Sequence, residues 1–205
     1  SLKTPLAVLQ TQSENITDQQ EFMREVETQL LRMNDIVSYQ LSRASRAGHT
    51  LYSAPIDILP HAEGIVKSLE KIYASKGVYC EFEIDQKSQF SGELGDLQEL
   101  LGNFLENAFK WANKRVLLTI HPVFVHGAKR PGLFISIEDD GTGIAAEDIN
   151  KILQRGVRGD ERVQGHGIGL AIVQDIISSY HGELQVNRSE ELRGARFTIN
   201  LPCLT

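Results

Sequence analysis

The stretch that decides the fold is GLFISIEDDGTGIAAEDINKI, residues 132–152. Its first six residues alternate like a strand, and a helix signal follows the glycines. Between them two adjacent carboxylates, Asp139 and Asp140, run into Gly141-Thr142-Gly143. An acid at the end of a strand can cap a helix, bind a metal, act as a base or read a ligand. Asp140 could accept a hydrogen bond from an exocyclic amine, because a carboxylate is acceptor-only. Gly141 and Gly143 would then let a ring approach the backbone. A turn whose Asp caps the next helix is the plainer alternative.

Working outward, two further clusters flank this one. Upstream, LLGNFLENAFKWA is a helix pattern with Asn103 and Asn107 four apart and Lys110 three further on, all on one face. Two amide oxygens, with Glu106 nearby, could serve a hard cation such as Mg²⁺, and Lys110 could meet phosphate charge. Downstream, QGHGIGLAIVQDI carries Gly165, Gly167 and Gly169 at alternate positions, opening into an apolar-periodic helix. Backbone N–H groups at such a helix start make a phosphate cradle. The polar run before it, LQRGVRGDERVQ, reads as a lid whose Arg155, Arg158 and Arg162 can reach phosphates. Taken singly, each cluster is equally a solvated helix face, a capping turn or a flexible loop. Taken in order, metal oxygens, a base reader and a phosphate cradle describe one Mg-ATP site.

The remaining elements frame these clusters. Residues 1–48 read as a helical hairpin, with apolar Met23, Val26, Leu30, Met33, Val37, Leu41 and Ala44 at coiled-coil-like steps of 3, 4, 3, 4, 4 and 3. One hairpin cannot bury that stripe, so a second copy completing a four-helix bundle is expected. From residue 51 the texture changes. A strand in TLYSAPIDIL, a helix in PHAEGIVKSLEKIYASKG and a strand in VYCEFEI are followed by a short strand and the Asn-bearing helix. RVLLTIHPVFV and GLFISIED form a hairpin, and the glycine-led helix precedes strands ELQVNRS and ARFTINLP. Residues 51–205 therefore read as an α+β domain, a two-layer α/β sandwich with mostly antiparallel strands on helices.

Composition narrows the classes. Hydrophobic residues make up 41% and charged residues 23%, enough for an ordinary core. A net charge of -6 argues against nucleic acid as a partner, which would draw on a basic excess. The two cysteines, Cys80 and Cys203, form no disulfide framework or zinc ligand set. No apolar run nears the ~20 residues of a membrane helix, and the first residues hold no signal peptide pattern.

The series Asn-x-x-x-Asn-Ala-x-Lys, Asp-x-Gly-x-Gly and Gly-x-Gly-x-Gly-Leu-Ala resembles the N, G1 and G2 boxes of the ATP-binding domain of sensor histidine kinases. That domain shares the Bergerat, or GHKL, fold of the gyrase, Hsp90 and MutL ATPases, a mixed sheet packed on helices. RGARFTINLP is similar to its closing strand. The resemblance implies Mg²⁺ held by Asn103 and Asn107, with His166 standing where a metal-holding Gln is usual. It implies adenine read by Asp140, and ATP lined by Trp111, Gly141, Gly143, Ile144, Gly165, Gly167, Ile168, Gly169 and Leu170. Phosphate charge would fall to Lys110 and the lid arginines.

The opening LKTPLAVLQ resembles the segment after the phospho-acceptor His in such kinases, and the hairpin resembles their dimerisation and phosphotransfer bundle. The acceptor would lie immediately before Ser1, so this chain is expected not to autophosphorylate there. Thr4 matches the position that orients water in the reverse, phosphatase reaction. Ser1 replaces the usual acid, and Leu153 a usual lid Phe. GNFLENAFKW and EDDGTGI most resemble the PhoQ group. That group implies a sensor in the bacterial inner membrane with its kinase portion in the cytoplasm, a homodimer, and a PhoP-like response regulator as partner. An ATP hydrolase or ATP-driven clamp of the same fold is the alternative, with Glu106 placed where a water-activating base would be.

Overall fold

The computed structural model describes residues 54–145, 147–149 and 168–203, with Phe22, Met23, Val26, Gln29 and Met33 of the amino-terminal segment. The chain divides into two compact units, Ser1–Gly48 and His49–Thr205. In the first, all five described residues are helical. Gln29 is buried there, while Met23 is 53% exposed. Thr4, the hairpin turn and the rest of the stripe lie outside the described residues.

The second unit runs β1 (Ile56–Asp57), α1 (Leu59–Ile72), β2 (Tyr79–Ile84), β3 (Gln89–Phe90) and α2 (Leu94–Trp111). Then come β4 (Arg115–Val123), β5 (Gly132–Asp139), α3 (Ile168–Ser179), β6 (Glu183–Arg188) and β7 (Ala195–Leu201). The main sheet has the order β2-β4-β5-β7-β6. All its pairings are antiparallel except β2 with β4, which makes the sheet mixed. β1 and β3 pair separately, and the strand expected over residues 50–59 is only these two residues long among those described.

Helix α2 is the spine of the domain. Leu97, Leu100, Leu101, Phe104, Leu105, Ala108 and Phe109 follow steps of three and one, and all are buried. Each of the Leu and Phe side chains contributes about 1.5–3 kcal/mol by leaving water. The stripe packs on β5 and α3, with the Phe104 and Phe197 rings 5.3 Å apart. Both helix ends are held by side chains from elsewhere. The Tyr180 hydroxyl, at the end of α3, accepts the Glu93 N–H at 3.1 Å and donates to Asp96 at 2.7 Å. The Lys76 ammonium donates to the carbonyls of Phe109 (3.1 Å) and Lys110 (2.7 Å), groups that a helix end leaves without intrahelical partners.

Alternation along β5 sorts its residues between two faces. Leu133, Ile135 and Ile137 are buried toward the helices, in register with Ile120 and Leu118 of β4 and with Ile199 and Leu201 of β7. Asp139 follows on that same face. Phe134, Ser136 and Glu138 take the other face, where the turn between β6 and β7 folds over the strand end. That turn meets both Glu138, through Ser189, and Asp139, through Gly194.

Candidate active site

With one face of α2 spent on the core, the neighbouring strip carries Asn103, Glu106, Asn107 and Lys110. The Asn103 amide donates to the Glu99 carbonyl one turn back at 2.8 Å. That bond fixes the amide, so its carbonyl oxygen Oδ1 points outward toward the start of α3. Gly169 sits so close that a Cβ there would run into Asn103 Oδ1. The glycine motif and the asparagine motif therefore meet directly. An oxygen presented this way suits a hard cation. An open groove of about 490 Å³ between α1 and α2 reaches Asn103 and Glu106 at its rim.

The end of β5 lies against the other end of α2. A Cβ on Gly141 would strike the Trp111 carbonyl oxygen. Gly143 adopts φ +76°, and a Cβ there would lie 3.2 Å from the Gly194 carbonyl oxygen. These glycines were expected to admit a ligand ring. In the structure the space of their missing side chains is also what lets the backbone pack against α2 and against the β6–β7 turn. Trp111 is 58% exposed, and the Lys110 ammonium lies 5.7 Å from its ring centroid.

The two carboxylates have different fates. Asp140 Oδ1 accepts the N–H groups of Asn113 (2.8 Å) and Lys114 (3.0 Å), and Oδ2 also accepts Lys114 N–H at 3.1 Å. It caps the turn between α2 and β4. Partial burial works to raise its pKa, but the N–H groups of Lys114, Arg115 and Asn113 prevail and hold it below the usual carboxylate range. Asp139 is only 3% exposed. Its Oδ1 accepts Gly141 N–H at 2.8 Å and Ala195 N–H at 3.2 Å, and neither bond falls on Oδ2. Burial pushes its pKa up against those two N–H groups, and the Asp140 charge pushes the same way as burial. The Asp140 carboxylate, expected from the sequence to read a base, is engaged by the N–H groups of the turn, whereas Asp139 holds its carboxylate on the helix-facing side of the strand.

Of the other expected site residues, Asn107 and Lys110 share the α2 strip with Asn103, and Ile144 is half-buried after the Gly143 turn. Leu170 is 8% exposed and sits among the buried hydrophobic residues. Ile168 begins α3. Arg155, Arg158, Arg162, Gly165, His166 and Gly167 lie outside the described residues. Among the described residues there is no cluster of three or more His, Cys, Asp and Glu able to hold a metal. Gly194 and Ala195 were not anticipated as site residues. The signal for Asp139 was present, since the β5 alternation puts it on the helix-facing side, and Asp-x-Gly-x-Gly counts from it.

Comparison with known proteins identifies relatives in sequence and in fold. Residues 92–205 match the family described as histidine kinase-, DNA gyrase B-, and HSP90-like ATPase. The chain is 39% identical over 203 residues to the two-component sensor PhoQ of Pseudomonas aeruginosa, covering 97% of this chain and 44% of that protein. It is 34% identical over 204 residues to the sensor protein PhoQ of Escherichia coli (strain K12), covering 97% of this chain and 40% of that protein. The chain thus spans less than half the length of these curated relatives. Among solved structures, the Acinetobacter baumannii histidine kinase AdeS superposes with a TM-score of 0.68 at 20% identity, over 100% of this chain and 98% of that one. Full-length ShkA in complex with AMPPNP gives 0.67 at 26% identity, over 98% of this chain and 42% of that one. With its mixed sheet packed on helices and its asparagine, aspartate and glycine motifs brought to the ends of those elements, the chain belongs to the family of histidine kinase-, DNA gyrase B- and HSP90-like ATPases.

Proposed function

We propose that this chain is the ATP-binding and phosphoryl-transfer portion of a sensor histidine kinase of the PhoQ type. The observation that carries the proposal is Asp139. Its Oδ1 is pinned by two backbone N–H groups, so Oδ2 is aimed and left to take a third donor. The 6-amino group of adenine is such a donor, and a buried carboxylate prefers one. The nucleotide-analogue complex of ShkA supports the choice of ATP.

Asn103, with Asn107 beside it, would hold Mg²⁺ through amide oxygen, and the Asn103 bond to Glu99 fits that role. Bound Mg²⁺ supplies neutralisation of phosphate charge. Lys110 adds its own positive charge at the phosphates. Gly165, His166, Gly167 and the lid arginines Arg155, Arg158 and Arg162 enter this reading from the sequence alone, as does Thr4 in phosphatase chemistry. The γ-phosphoryl passes to an imidazole nitrogen of the dimerisation helix, and from there to an aspartate of a PhoP-like response regulator. Holding the reactants in line and neutralising charge carries most of such a transfer. The whole protein is a homodimer in the bacterial inner membrane, with this portion on the cytoplasmic side.

The test uses [γ-³²P]ATP, Mg²⁺ and a purified PhoQ-type hairpin that carries the acceptor His. Label on the hairpin that is stable in base and lost in acid marks phosphohistidine and supports the kinase. Release of inorganic phosphate with no label on the hairpin would overturn it in favour of the hydrolase or clamp. In that case Glu106, exposed beside Asn107, is the base to examine.

A further inference from the structure

The face of the main sheet away from the helices carries a buried polar network with no role so far. Glu138 is 7% exposed, Ser136 and Ser189 are each 1% exposed. A carboxylate buried to this degree is costly unless it is fully engaged, and this one is. Glu138 Oε2 accepts the Ser189 hydroxyl at 2.6 Å, and Oε1 accepts the Ser136 hydroxyl at 3.2 Å. Arg196 Nε lies 3.3 Å from Oε1 and also donates to Ser136 Oγ at 3.1 Å.

Ser189 then ties the β6–β7 turn together. Its Oγ accepts Leu192 N–H at 2.8 Å, and its own N–H donates to the Gly194 carbonyl at 2.9 Å. From this turn come the groups that set Asp139. Gly194 N–H donates to the Asp139 carbonyl at 3.0 Å, and Ala195 N–H donates to Oδ1. A Cβ on Gly194 would strike the Asp139 carbonyl oxygen and Oδ1, so the turn is in tight contact with that side of the carboxylate. Residues 138 and 139 are consecutive and face opposite sides of the sheet. One turn is thereby clipped to both sides of the same strand end.

We infer that Glu138 and Ser189 are positioning residues for base recognition, holding the β6–β7 turn so that Ala195 N–H fixes the Asp139 carboxylate. Neither touches the nucleotide. This inference deepens the proposed function and rests on Asp139 reading the adenine amine.

Calorimetric titration of the whole chain with two nucleotides separates the two ideas. ATP is compared with purine riboside 5′-triphosphate, which lacks only the 6-amino group, both with Mg²⁺. A wild type without a preference for ATP, or Asp139→Asn retaining it, would bring down the adenine reading and this inference with it. Given that preference, Ser189→Ala is expected to weaken ATP by about ten- to hundredfold, the scale of misplacing a positioned group, and to leave the analogue unchanged. Glu138→Gln keeps the shape and an acceptor for Arg196, and its amide can donate to Ser189 Oγ, so it is expected to keep the preference. Equal weakening of both nucleotides by Ser189→Ala, or an unchanged ATP preference, would reduce the network to a structural brace and overturn the inference. Should Ser189→Ala fail to fold, Arg196→Gln cuts the network from its more exposed side, and the same two outcomes decide.

Discussion

Replacing Asp139 with Asn separates recognition from stability in one side chain. The Asn carbonyl oxygen can keep both bonds of Oδ1, from Gly141 and Ala195 N–H. Oδ2 becomes an amide NH₂, which faces the adenine amine donor to donor. A hydrogen bond to a charged group is worth about 1.5–3 kcal/mol. At 1.4 kcal/mol per factor of ten, ATP affinity should fall by about 10- to 150-fold. The effect on the free protein has the opposite sign. The folded-state pKa of Asp139 is raised, with burial the main cause. Its ionisation therefore disfavours the fold, and the stability tied to its protonated form is present below the unfolded pKa and lost as pH rises through the folded one. The variant carries no such penalty. Without nucleotide it should melt at or above wild type at neutral pH, and the advantage should close in acid. Isothermal titration with a non-hydrolysable ATP analogue and thermal melts across pH 3–8 test both halves. Full affinity in the variant would refute the assignment of Asp139.

Three further outcomes follow from neighbouring contacts. Asp140→Ala removes the acceptor of Asn113 and Lys114 N–H, so it should lower the melting temperature while leaving ATP affinity within a few-fold of wild type. Because the Asp140 pKa is lowered, that stability gap should be present above the unfolded carboxylate pKa and shrink as pH falls through the folded value; a gap independent of pH would contradict the capping role. Gly169→Ala pushes a methyl onto Asn103 Oδ1, and titration with and without Mg²⁺ should show the metal-dependent part of nucleotide affinity lost while circular dichroism stays unchanged. Tyr180→Phe deletes the hydroxyl between Glu93 and Asp96, at about 1–2 kcal/mol, so scanning calorimetry should find the domain melting about 3–6 °C lower.

Much of the second unit was legible from periodicity. The α2 stripe, the β4–β5 alternation and the glycine-led α3 are local patterns, and the observed elements follow them within a few residues. The parallel partnership of β2 with β4 was not legible, because pairing joins residues more than 30 positions apart and no local signal encodes it. The engagement of Asp140 was not legible, because the N–H groups that hold it, those of Asn113 and Lys114, lie more than 25 positions away. The strand continues through Asp139, and only Asp140 emerges at the turn. What packs against Gly141, Gly169 and Gly143 was not legible either, because Trp111, Asn103 and Gly194 are each supplied by a distant segment.

Trp111 is the single tryptophan of the chain. It stands exposed at the end of α2, with its own carbonyl against Gly141, two residues beyond Asp139. The protein therefore carries a built-in fluorophore at the rim of the proposed nucleotide site. Its emission reports on that corner of the molecule without any label, and a stopped-flow trace excited in the indole band gives the rate at which ligand arrives and leaves, as well as how much is bound.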